Sequence, residues 1–164
     1  MHVTGDVLVP AGAELEILPA VQVLFDGHYA LHIQGTLTAV GTPLEPIRFT
    51  TAEPELFAVD STTAGSWRGI RFEQTPATGD SSRLTYCVVE YCKAAGDESR
   101  GAALHLTGFS KLRVANCIFR HNVADYGAVA YCANFAAPTF AGCLMHDNHA
   151  FVSGSAVYCV DAYP

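Results

Sequence analysis

A chain of 164 residues, half of them hydrophobic and 15% charged, holds enough apolar material for one core and too little for two ordinary domains. Nine basic residues against sixteen acidic ones give a net charge of −7 with no Lys/Arg cluster, which argues against nucleic acid as a partner. No run approaches the roughly 18 to 20 apolar residues of a membrane-spanning helix, so no membrane span is expected.

The chain opens on Met1-His2-Val3-Thr4-Gly5-Asp6 without a basic start or a secretory apolar stretch. The expectation is a secreted or surface protein whose export signal lies outside this sequence, with a cytoplasmic location as the alternative. Residues 7–19 then read as strand, turn, strand, and residues 21–25 and 31–39 continue the alternation of apolar and polar side chains. Gly41-Thr42-Pro43 turns into Pro46-Ile47-Arg48-Phe49-Thr50. Residues 51–66 are polar, Pro-containing and aperiodic, as expected of a loop that bulges from the fold. Regularity resumes at Trp67-Arg68-Gly69-Ile70-Arg71-Phe72, where Trp67 reads as a core or loop-packing residue.

The second half contains a repeat. Cys117, Asn122 and Ala124 recur 26 residues later as Cys143, Asn148 and Ala150, while Gly127, Tyr131 and Cys132 recur 27 later as Gly154, Tyr158 and Cys159. A looser copy places Cys87 thirty residues before Cys117 and Gly101 twenty-six before Gly127. The coils span residues 84–112, 113–138 and 139–164, following less regular coils over 1–83. A period near 26 is too short for helical-hairpin repeats, and the repeated segments are β-branched or aromatic and bounded by Gly, Asn, Asp or Pro. The predicted fold is therefore all-β: one domain over 1–164, a solenoid of roughly five to six coils of about 26 residues each. Equivalent positions should stack at the strand spacing of about 4.8 Å.

Alternation sorts the ladders. Leu104, Ala130 and Val157 are expected inside, as are Leu106, Cys132 and Cys159, and Cys87, Cys117 and Cys143. His105, Tyr131 and Tyr158 form one outward file, extended through Glu73; Glu90, Arg120 and His146 form another, with Tyr91, His121 and Asp147 beside it. Asn122 and Asn148 are expected at sharp bends, where Asn tolerates a left-handed backbone and its amide can bond the next rung. Cysteine ladders admit two readings: buried free thiols, or bridges between Cys117 and Cys143 and between Cys132 and Cys159.

Four segments carry a resemblance: Val9-Pro10-Ala11-Gly12-Ala13; residues 33–42 leading to Pro46-Ile47-Arg48-Phe49-Thr50; residues 67–72; and the two Cys-x-x-x-x-Asn coils with their following Gly. Together they resemble the right-handed parallel β-helix repeat proteins of bacterial secreted and surface proteins, with the pectate-lyase-like fold. The resemblance implies a scaffold found in polysaccharide lyases, galacturonan hydrolases, tailspike glycosidases and adhesins, and selects none of them.

A lyase would need clustered Asp or Glu to hold calcium, with Arg or Lys nearby. The acids here form no D-x-D or D-D pair, and the galacturonan-hydrolase series of an Asn-Thr-Asp followed by paired aspartates and a Gly-His is absent. Candidate catalytic residues are Glu90, Arg120, His121, His146 and Asp147; candidate metal ligands are His121, His146 and His149; a solvated polar face explains the same residues. The file of His105, Tyr131 and Tyr158 is the candidate ligand platform, with cross-rung stacking as its structural alternative. No cofactor is expected. The expected function is a non-catalytic scaffold, adhesin or surface for polysaccharide or cell-surface glycan. Polysaccharide lyase or glycoside hydrolase action along the solenoid is the alternative, and end-to-end self-association through open strand edges a further one.

Overall fold

The computed structural model of the chain describes residues 1–73, 75, 82–96, 99–108 and 110–162. Its strands form three long parallel sheets that the chain visits in turn. The first sheet contains His2–Val3, Gln22–Phe25, Ile47–Thr51, Cys87–Glu90, Ile118–Arg120 and Leu144–His146. The second contains Val7–Val9, Leu31–Ile33, Ile70–Phe72, Leu104–Leu106, Ala130–Ala133 and Val157–Val160, and the third Glu14–Ile17, Thr36–Val40, Ser82–Thr85, Leu112–Ala115 and Thr139–Ala141. All pairings are parallel, an arrangement consistent with a parallel β-helix. The 26-residue spacing sets the register in the later strands: Phe119 pairs with Met145, Leu104 with Ala130 and Val114 with Phe140.

Earlier spacings vary. Ile47 pairs with Cys87, forty residues on, because residues 52–66 leave the sheet as a loop around a short 3-10 turn at Pro54–Leu56. Lys93 ties that loop down. Its ammonium donates to the carbonyls of Ala58 at 2.6 Å and Thr62 at 2.5 Å and lies 3.3 Å from Asp60 Oδ1. One core runs the length of the sheets, with Trp67 stacked on Phe25 at 4.0 Å between ring centroids. Trp67 is thus a core residue, and the dispersion and burial of so large a ring help hold the long coil to its neighbour.

The corners follow from backbone sterics. Gly101, Gly127 and Gly154 all have positive φ, and a Cβ on Gly127 would lie 2.3 Å from the Ala130 carbonyl oxygen. At the other bend the expectation needs correction. The left-handed residues are Tyr91, His121 and Asp147, not the asparagines that follow them. Asn122 instead is buried, accepting from the Cys92 N–H and donating to Asn148 Oδ1 and the Val89 carbonyl. The predicted bond to the next rung is present, but the bend is made one residue earlier, which frees the amide to satisfy backbone groups inside the turn.

All six cysteines are free thiols. Cys87, Cys92, Cys117 and Cys132 are buried, Cys143 is partly covered and Cys159 is exposed. Burial, together with the neighbouring Cys159, pushes the Cys132 thiol up to about 12, and burial raises Cys92 as well. Such thiols are poor nucleophiles.

Candidate binding site

In-register pairing places His105, Tyr131 and Tyr158 on consecutive rungs of the second sheet, with Arg71 one rung earlier. The rings stack: His105 on Tyr131 at 5.3 Å, and Tyr131 on Tyr158 at 6.0 Å and 10°. Stacking largely encloses the middle ring, since Tyr131 is only 8% exposed. The sequence extends this file through Glu73; the register puts Arg71 there instead, and Glu73, two residues on, lies 3.8 Å from His105 Nε2 and 3.7 Å from Arg71 Nε.

Two residues that the sequence did not single out complete the site. Val123–Tyr126 and His149–Ser153 pair as a separate two-stranded ribbon between the first and second sheets, and Arg100 bridges to Tyr126. That ribbon carries Tyr126 to within 5.1 Å of the Tyr158 ring, while the Arg100 guanidinium lies over Tyr131 at 5.6 Å. Arg100, Tyr126, Tyr131, Tyr158 and Val160 line an open pocket of about 340 Å³. The three tyrosine hydroxyls have no hydrogen-bond partner among the described residues. The Arg100 carbonyl accepts from Arg71 Nη2 and lies 3.1 Å from His105 Nδ1, so backbone and side chain of Arg100 link the older rungs to the tyrosines. The signal for Tyr126 was faint: its coil partner is Ser153, so no aromatic repeat marks it.

The charged file behaves differently. Glu90, Arg120 and His146 are in register on the first sheet, as expected. Glu90 is not solvated, however: its side chain is 2% exposed, with Oε1 accepting from Arg48 Nη1 at 2.5 Å and Oε2 from Arg120 Nε at 2.6 Å. Arg48 comes from a coil whose repeat is irregular, which hid it. With both oxygens occupied, this carboxylate joins three rungs and is poorly placed to move a proton. His121 stacks on Tyr91 at 5.2 Å and meets His146 edge-on at 6.5 Å. A hydrogen bond from His146 Nδ1, at 2.8 Å, holds the exposed Asp147 carboxyl below the usual carboxylate range. His149 packs on Phe151 at 4.7 Å. Among the described residues no group of three or more His, Cys, Asp or Glu is arranged to hold a metal ion.

The arrangement thus offers aromatic faces, free hydroxyls and a guanidinium on a rigid wall, which is binding chemistry. No family model matches the chain, and no curated protein or solved structure matches it.

Proposed function

We propose that the chain is a right-handed parallel β-helix of the pectate-lyase-like kind, with coils near 26 residues where no loop interrupts them, belonging to an exported or surface protein and serving as a non-catalytic glycan-binding surface. Right-handed crossover is the rule for parallel strands joined within one sheet system. The observation that carries the binding reading is the tyrosine pocket. Tyr158 and Tyr126 present partly exposed rings on this wall, and their hydroxyls and the Arg100 guanidinium, which have no hydrogen-bond partner among the described residues, can meet sugar hydroxyls or a sugar carboxylate. Little ordering entropy then opposes binding.

The enclosure of Tyr131 divides the roles. Tyr126→Ser combined with Tyr158→Ser is expected to remove the oligosaccharide binding that this pocket supplies, with a small change in melting temperature, whereas Tyr131→Ser is expected to lower stability through lost ring contacts. Calorimetric titration with neutral and acidic oligosaccharides, beside a thermal melt of each variant, reads both. A wild-type chain that binds no glycan in the panel overturns the binding reading, and release of shortened products overturns the non-catalytic one.

A further inference from the structure

The ribbon that carries Tyr126 has a second side. Ser99 and Asp125 adjoin Arg100 and Tyr126 at an irregular stretch of the ribbon, where the pairing shifts register between Ala124 and Tyr126. Arg100 and Tyr126 line the tyrosine pocket, while Ser99 and Asp125, together with Asp60, Ser61, Lys93 and Phe151, line a separate cavity of about 460 Å³. The wall between them is braced: the N–H groups of Asp125 and Tyr126 both donate to the Ser99 carbonyl, at 2.9 and 3.2 Å.

The polar side chains of this cavity are those of Asp60, Ser61, Lys93, Ser99 and Asp125. Thr62 donates to Asp60 through its backbone N–H and its hydroxyl, and the Lys93 ammonium adds a third contact; all three reach Oδ1, which leaves Oδ2 without a partner among the described residues. The bonds from Thr62 hold that exposed carboxyl below its usual range, so it is ionised at neutral pH. Asp125 has no side-chain partner among the described residues. Lys93 is not free to contact a ligand, because its side chain is 1% exposed and its ammonium is directed at Ala58, Thr62 and Asp60, and its charge offsets that of Asp60. Phe151, 52% exposed and set against the edge of His149, supplies an apolar face.

We infer that this cavity is a subsite for a neutral pyranose sugar. The inference rests on the reading of the chain as a glycan-binding surface but uses none of the tyrosine pocket's ligand-facing side chains. With Asp60 offset by Lys93, Asp125 leaves the lining net negative and disfavours an anionic sugar, while both carboxylates accept from the hydroxyls of a neutral one and the carbon-bound hydrogens of a pyranose face fit an aromatic ring. Ser61 and Ser99 can donate or accept as the ligand requires.

The test titrates the full chain with the methyl glycosides of glucose, galactose and mannose, with methyl glucuronide and with spermidine, following amide shifts by NMR. At least one neutral glycoside is expected to shift the amides of Ser61, Gly96 and Ser99. Asp125→Ala and Phe151→Ala should each weaken that binding about tenfold, while the Tyr126→Ser, Tyr158→Ser double variant leaves it unchanged. Absence of these shifts with every neutral glycoside, a response to spermidine alone, equal binding of the glucuronide, or indifference to Asp125→Ala overturns the proposal. The wild-type shift map does not depend on any variant folding. Failure of the tyrosine site appears separately, as oligosaccharide binding that does not respond to the tyrosine double variant.

Discussion

Gly127 shows how one residue sets a corner. Its φ of +63° belongs to the left-handed region, and the space a side chain would need is occupied by the Ala130 carbonyl. A non-glycine residue there costs about 1 to 2 kcal/mol in backbone strain before any clash, and a β-branched one adds crowding. Gly127→Val is therefore expected to lower the melting temperature by several degrees, measured by a thermal melt against wild type. Glu90 makes the complementary point about burial. An outward position on a strand need not be wet, because the guanidiniums of Arg48 and Arg120 close over it from the rungs on either side.

At the scale of elements, the turn after the first sheet is held by an asparagine ladder. Asn122 is fully buried and satisfies the Cys92 N–H and the Val89 carbonyl while bonding Asn148. Asn122→Ala removes the acceptor of the Cys92 N–H, and a stranded buried group costs about 1 to 3 kcal/mol. A loss of about 1 to 3 kcal/mol in urea denaturation is expected. Asn148→Ala should cost less, since Asn148 is only partly buried. The ribbon of Val123–Tyr126 and His149–Ser153 uses the same turn for function: it follows the asparagines directly and carries Asp125 and Tyr126 to its opposite sides.

For the whole molecule, stability should depend on pH through the root of the long loop. His28 Nδ1 lies 3.1 Å from Ser66 Oγ, whose own proton goes to the Thr63 carbonyl. Burial, with the nearby charge of Arg68, lowers the His28 pKa from 6.5 to about 4. Between those values the unfolded chain binds a proton that the folded chain refuses, so stability is full above pH 6.5 and declines as pH falls toward 4. Urea midpoints measured across that window should fall for wild type and fall less for His28→Asn, with the two curves parallel above it. The depressed carboxyls of Asp60 and Asp147 act lower, below their ordinary value of 3.8, and so do not confuse the comparison.

Sequence alone determined the stacking of the later coils. A 26-residue repeat of strand-forming segments, paired in parallel and in register, brings Phe119 over Met145 and Tyr131 over Tyr158, and alternation then decides which file faces the core. Only the tertiary structure decided who covers whom. Arg48 reaches Glu90 from a strand whose partner stands forty residues on, so no period connects them, and the bend at His121 rather than Asn122 depends on which backbone groups the next rung leaves open. Arg100 and Tyr126 join the aromatic file through a ribbon that single bridges from Lys93 and Arg100 extend into the preceding coil, and Asp60 and Asp125 line one cavity beside a loop clamped by Lys93. Periodicity encodes contacts between equivalent positions, whereas pockets form where unlike segments converge, and that convergence is set by loop lengths and burial.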